Sequence, residues 1–267
     1  MCAVSYLNTV PLVWGLLHQP ELQNVFDLRF AVPSACADQL ASGETDIGIL
    51  PAIEMARQNL DYFPETGIAC YGPVRTILLT SKVPFDQIET LATDSGSRTS
   101  VMLARIILAH KYGAEPELIS LAPDLEPMLA QADAALLIGD AALHVEPDHL
   151  PYATLDLGEE WTNITGLPMV FAVWAGRREQ MQPDYGAALA ASYQYGRDHM
   201  DAIVAHEAPA RGLPESVVHE YLTRHIVFEL DEKAHRGLQL YLKNAAQFEP
   251  SLAPGHAVHT AKGVSSL

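Results

Sequence analysis

The sequence predicts an α/β protein of two lobes, each a mixed sheet with covering helices, with a ligand cleft between them. Three observations predict it. Short apolar runs alternate with helical stretches from Ala3 to Ala175, the pattern of parallel strands joined by covering helices. The pattern occurs twice, with similar polar turns after corresponding strands. The remaining third is helical, as expected of a segment that returns to cover the first lobe.

Ala3 to Leu7 reads as a strand and Thr9 to His18 as a helix, with Pro11 near the first turn, where proline is tolerated. Leu28 to Val32 is a second strand, and Ser34 to Ser42 a helix ended by Gly43. Asp46 to Leu50 is a third strand, and Pro51 opens a helix through Gln58. Gly72 to Ser81 is a long strand rich in Val, Ile and Thr. The second set follows with strands Leu91–Asp94, Leu118–Leu121 and Ala134–Gly139. Its helices are Arg98–Tyr112, Leu125–Gln131 and a turn from Asp140 to His144. Glu146 to Gly166 reads as loop, and Leu167 to Ala175 as a strong strand.

In the last third, Leu189, Tyr193, Met200 and Val204 share a helical face, as do Val217, Val218, Tyr221, Leu222 and His225. Leu238, Tyr241, Leu242, Ala245 and Phe248 form another, and the tail after Phe248 reads as loose. Lobe 1 is expected over 1–80 together with 176–267, and lobe 2 over 81–175. The chain is expected to cross between lobes near 72–81 and 167–176. Ligands of open α/β sheets sit beyond the carboxyl ends of the strands, so the polar turns of both lobes would face one cleft.

The 267 residues are 49% hydrophobic and 18% charged, enough for one large domain or two lobes. Sixteen Lys and Arg against 33 Asp and Glu give a net charge of −17. That balance argues against nucleic acid and anionic membranes as partners. No apolar run approaches the roughly 18 residues of a membrane span. No basic and apolar leader opens the sequence, and Cys2, Cys36 and Cys70 lack metal-type spacing. A cytoplasmic protein with reduced thiols, no metal and no cofactor is expected.

The turn Asp94-Ser95-Gly96-Ser97-Arg98-Thr99-Ser100 is the strongest site signal. Hydroxyls and free backbone N–H groups at a helix start bind carboxylates or phosphates. Ser97 or Thr99 also fits a plain N-cap, but four hydroxyl or guanidinium residues in a row exceed what capping needs. Asn8, at a strand end before a helix, fits either an N-cap or a neutral donor–acceptor aimed into the cleft. Tyr6 shares its direction by strand alternation, and a twist at the strand end would expose Ser5 instead. Asp140 fits a helix N-cap or a ligand contact, and Gly139 permits close approach of a ligand to the backbone. Arg75 fits a substrate carboxylate or a structural partner such as Asp94 or Asp140. Thr165-Gly166-Leu167-Pro168 is a turn before a strand and a candidate edge of the site. No nucleophile triad, P-loop or dinucleotide fingerprint is present.

Several segments together resemble the chorismate dehydratase family, from the futalosine route to menaquinone. They are Val4-Ser5-Tyr6-Leu7-Asn8-Thr9-Val10-Pro11-Leu12, Gly72-Pro73-Val74-Arg75-Thr76-Ile77-Leu78-Leu79 and Ser97-Arg98-Thr99-Ser100. Ala135-Leu136-Leu137-Ile138-Gly139-Asp140-Ala141-Ala142-Leu143 and Thr165 through Ala175 complete the set. Met169 stands where that family commonly has Phe. The resemblance implies a type 2 periplasmic-binding-protein-like fold used as an enzyme. The implied reaction removes water from chorismate to give 3-[(1-carboxyvinyl)oxy]benzoate. Asn8 would be catalytic. Ser5, Tyr6, Ser97, Arg98, Thr99, Ser100, Gly139, Asp140, Thr165 and Gly166 would bind the substrate. Two other readings share the fold: a solute-binding protein for a small carboxylate, and dihydroxynaphthoate synthase of the same route.

Overall fold

The computed structural model describes residues 1–94 and 96–252. Ser95 of the hydroxyl-rich turn and the tail from 253 to 267 lie outside the described residues. The strands are β1 (Cys2–Val4), β2 (Arg29–Ala31), β3 (Ile47–Pro51), β4 (Asp61–Cys70), β5 (Ile77–Ser81) and β6 (Thr90–Asp94). They continue as β7 (Glu117–Leu121), β8 (Ala134–Ile138), β9 (Ala153–Asp156), β10 (Met169–Gly176) and β11 (Val227–Glu229). Among the described residues they make a six-stranded sheet, β11-β4-β10-β3-β1-β2, and a five-stranded sheet, β7-β6-β8-β5-β9.

Both sheets are mixed. In the first, β1 runs parallel to β2 and β3, while β10 is antiparallel to β3 and β4. In the second, β6 runs parallel to β7 and β8, while β5 is antiparallel to β8 and β9. The chain leaves the first sheet after Cys70 and rejoins it at Met169. Every residue of β3 and of β10 is buried, as their unbroken apolar runs require.

The helices are α1 (Val10–His18), α2 (Pro33–Ser42), α3 (Ile53–Gln58), α4 (Arg98–Ile107), α5 (Leu125–Gln131) and α6 (Asp140–Leu143). Then come α7 (Leu157–Thr165), α8 (Pro183–Asp198), α9 (Met200–Arg211), α10 (Glu215–Glu220) and α11 (Glu232–Phe248). The helix after β6 turns into a π-helical segment at Leu108–Tyr112 before Gly113 ends it. Glycines let α8 lie directly on α1. A Cβ on Gly196 would fall 2.1 Å from the Pro11 carbonyl oxygen, and one on Gly15 would fall 2.5 Å from the Ser192 Cα. The Ser192 hydroxyl completes the seam, accepting from Leu16 N–H at 3.0 Å and donating to the Leu12 carbonyl at 2.8 Å. Helix α11 reaches from the first sheet to the second lobe: a Cβ on Gly237 would meet the Pro168 carbonyl, and Tyr241 Oη donates to the Thr99 carbonyl at 3.0 Å.

Four expectations need correction. The strand expected over Gly72–Ser81 begins only at Ile77, because Val74 and Arg75 are drawn aside by their N–H bonds to Asp156 at 3.0 and 2.6 Å. That bend holds Arg75 at φ +68°. The stretch read as loop contains β9 and α7, with Asp156 as side-chain N-cap to Gly158 and Glu159. Strand β4 is missing from the sequence reading because Pro64 and Gly67 interrupt its pattern. Finally, the stretch just after Phe248 forms a short 3-10 turn, Pro250–Leu252, with Leu252 buried, while the rest of the tail read as loose lies outside the described residues.

Candidate active site

The parallel strands β1, β3, β6 and β8 all point their carboxyl ends toward one cleft between the lobes. The space there is about 580 Å³, part of it open to solvent. Its walls are mostly apolar, with Val4, Pro33, Ile68, Val74, Ile138 and Phe171 among them. The polar lining comes from Tyr6 and Asn8 after β1, Thr76 before β5, and Ser97, Arg98, Thr99 and Ser100 at the start of α4. Arg98 is the one charged side chain among the lining residues described, and no carboxylate or imidazole is among them. No group of three or more metal-ligating side chains occurs among the described residues.

Asn8 sits in a short 3-10 turn, Leu7–Thr9, that leads into α1. Its amide does not cap the helix. Nδ2 donates instead to Tyr221 Oη at 3.0 Å, and Oδ1 is buried without a hydrogen-bond partner. Ser97 occupies the N-cap position of α4, yet its side chain makes no cap bond and its Oγ is also buried and unpartnered. Buried polar atoms are nearly always bonded, and these two belong to residues that line one cleft, which leaves each with bonding capacity for a ligand atom. The α4 N-terminus adds backbone N–H groups and a favourable dipole for an anion. Thr99 Oγ1 is already engaged, accepting from Ile53 N–H at 3.3 Å. Ser100 is buried in the lining.

Arg98 lines the cleft, but its guanidinium is held by Asp38 at 2.7 Å and by buried Glu54 at 3.3 Å. Glu54 is also paired with Arg57, which reaches Glu249. These pairs fix the start of α4 against α2 and α3. Tyr6 lies half-buried with its ring on Gly139, where a Cβ would come within 2.9 Å of Cε2 and Cζ. Burial, then the Asp94 and Asp140 carboxylates, push the Tyr6 phenol up to about 12. It therefore stays neutral at physiological pH.

Other expected site residues lie elsewhere. Asp140 faces the lobe contact, where it accepts from Leu7 N–H at 3.0 Å and pairs with Arg211 at 2.9 Å. Ser5 is exposed, with its hydroxyl 3.4 Å from the Ala31 carbonyl. Thr165 and Gly166 end α7 away from the cleft lining; Gly166 is the left-handed cap and Thr165 Oγ1 donates to the Trp161 carbonyl. Arg75 pairs with neither Asp94 nor Asp140. Its guanidinium donates to the carbonyls of Ala142 and Val145 at 3.2 and 2.7 Å, closing the end of α6.

Two residues of the site are not singled out by the sequence, Thr76 inside a segment that carries the family resemblance and Tyr221 on a helix face. Thr76 lines the cleft beside Asn8, and Tyr221 arrives from the end of α10 to bond both. Tyr221 reads as one more apolar position on a helix face, and only the fold brings it to Asn8.

A family profile described as "Menaquinone biosynthesis" matches residues 1–247. The chain is 29% identical to the chorismate dehydratase of Thermus thermophilus, over 88% of this chain and 91% of that one. Among solved structures it is similar to an Archaeoglobus fulgidus protein, with TM-score 0.72 and 16% identity over 93% of this chain and 97% of that one. It is also similar to the periplasmic aliphatic sulphonate binding protein of Escherichia coli, with TM-score 0.63 and 16% identity over 96% and 94% of the two chains. These likenesses make the fold a periplasmic-binding-protein fold.

Proposed function

The chain belongs to the menaquinone biosynthesis family, and from that premise we propose that it is a hydro-lyase that converts chorismate into 3-[(1-carboxyvinyl)oxy]benzoate and water. One observation carries the reading. Among the described residues the lining offers two unpartnered buried polar atoms, Asn8 Oδ1 and Ser97 Oγ, and no side chain able to act as a base near neutral pH. Chorismate suits such a site. It brings two carboxylates and a hydroxyl to be held, and it can supply its own base.

The step follows from the substrate's chemistry. The proton at C3 is activated by the ring carboxylate, and the C4 hydroxyl is allylic. The enolpyruvyl carboxylate takes the C3 proton and passes it to the departing hydroxyl. Carbon–hydrogen and carbon–oxygen bonds break, water leaves, and the ring becomes aromatic. The enzyme's part is geometric and electrostatic. Ser97, Ser100 and the first N–H groups of α4 hold a carboxylate, Tyr6 lies beside the ring, and Asn8 holds the hydroxyl. Arg98, bound to Asp38 and Glu54, stiffens the turn and adds little free charge.

The three free thiols, all buried, support a reducing compartment such as the cytoplasm. Among the described residues no helix is long and apolar enough to cross a membrane.

The test is to add purified protein to chorismate, follow loss of the diene absorbance and identify the product by mass. Water loss is expected, and Asn8→Ala is expected to slow it by about a hundredfold. Tight binding without turnover would refute the lyase reading in favour of a ligand carrier. Loss of turnover in an Asp or His variant that still binds chorismate normally would refute the self-supplied base.

A further inference from the structure

Asn8 lines the cleft, and its two amide atoms differ: Nδ2 donates to Tyr221 Oη, while Oδ1 is buried without a partner among the described residues. The Thr76 hydroxyl lies 3.4 Å from the Val74 carbonyl and 3.0 Å from Tyr221 Oη. Asn8 Nδ2 lies 3.0 Å from the same Tyr221 oxygen. A carbonyl only accepts, so Thr76 donates to Val74. Tyr221 then donates to Thr76, and its oxygen is left to accept from the Asn8 NH2 group. The direction of the whole chain is set at its Val74 end. The reverse amide orientation would take the Tyr221 proton, cost Val74 its donor and place an NH2 group in the cleft.

We infer that Tyr221 and Thr76 are positioning residues that hold the Asn8 amide with its oxygen toward the cleft, so that the ligand must present a hydrogen-bond donor there. Tyr221 and Thr76 are almost fully buried, so neither is free to exchange its partner for water. The identity of the donor rests on the dehydration reading: it is the C4 hydroxyl. With that hydroxyl's proton committed to Asn8 Oδ1, its lone pairs turn toward the enolpyruvyl carboxyl group. The proton taken from C3 is then delivered to oxygen, and water departs. A donor from Asn8 would compete with the incoming proton for the oxygen's two lone pairs.

Tyr221→Phe keeps the ring and removes the hydroxyl; Thr76→Val breaks the next link. In both variants kcat for chorismate is expected to fall at least about tenfold while KM moves by less than about threefold. Asn8→Ala combined with Tyr221→Phe is expected to be no slower than Asn8→Ala alone. Full kcat in both variants, or losses that multiply, would overturn the inference. A second readout needs no turnover. The two Asn8 side-chain amide protons, assigned by their loss in Asn8→Ala, are expected to be well separated in the NMR spectrum of the parent and to move together in Tyr221→Phe and Thr76→Val. Unchanged shifts in both variants would overturn the assigned orientation. If the parent fails to dehydrate chorismate, the proposed reaction falls, and the amide shifts still decide the inference. Melting temperatures of the variants separate loss of orientation from loss of fold.

Discussion

Gly139→Ala tests how tightly the two lobes are fitted at Tyr6. Two costs add at this position. Gly139 has φ +60° and ψ −146°, a region open essentially to glycine alone, and a side chain there costs about 1–3 kcal/mol. The new methyl would also stand 2.9 Å from Cε2 and Cζ of Tyr6 and 3.0 Å from Cδ2. Contact of that kind costs about 1–3 kcal/mol in a packed interior. Tyr6 is only half-buried and can shift, so the expected total lies in the lower half of the sum, about 2–4 kcal/mol. For a chain of this size that lowers Tm by about 4–16 °C in scanning calorimetry. Repeating the substitution in a Tyr6→Ala background isolates the steric part, because the backbone cost stays and the clash goes. A Tm drop below about 2 °C would refute the backbone argument. An equal drop with and without Tyr6 would refute the lobe contact.

Other substitutions probe the seam, the cleft and the pH response. Gly196→Ala places a methyl 2.1 Å from the Pro11 carbonyl oxygen, and we expect it to destabilise by about 1–3 kcal/mol, read from the urea midpoint. Ser97→Ala removes a hydroxyl that caps nothing. It should leave stability within about 0.5 kcal/mol and weaken chorismate binding by about tenfold or more in calorimetric titration. The His235 imidazole, 2.9 Å from Tyr62 Oη, is pulled below its usual value chiefly by burial. Its folded pKa is depressed, so its contribution to stability is complete above about 6.5 and is lost as pH falls below that value. Replacing it by Phe should flatten stability against pH in denaturant titrations below neutrality; an unchanged slope would refute its role.

Much of the site was legible as local chemistry, and the rest was not. Ser97 and Asn8 stand at strand-to-helix turns, so their exposure to the cleft follows from chain pattern. Whether they cap a helix or meet a ligand depends on partners far along the chain. Tyr221 takes the Asn8 amide, and nothing among the described residues takes Ser97 Oγ. Asp140 shows the opposite outcome. Its place after a strand fits a ligand contact, but Leu7 N–H and Arg211 take its two oxygens. Thr165 and Gly166 are explained within their own helix end. Strand β4 escaped because apolar alternation fails at Pro64 and Gly67, while pairing with β10 and β11 supplies what pattern lacks. Helix α7 carried a readable signal in Asp156 followed by Glu159 and Glu160, the acidic first turn of a capped helix.

The neutralised guanidinium of Arg98 sets how the protein responds to ionic strength. With that charge spent on Asp38 and Glu54, a dianion meets short-range dipoles in the cleft and a chain of net charge −17 around it. Salt screens the long-range repulsion over about 8–10 Å and leaves buried hydrogen bonds nearly untouched. Association of an anionic ligand should therefore quicken as salt is raised from low concentration, the reverse of a site that captures anions with exposed lysine and arginine. Ligand dissociation should change little over the same range. The protein trades electrostatic capture at a distance for a grip that ambient ions cannot loosen.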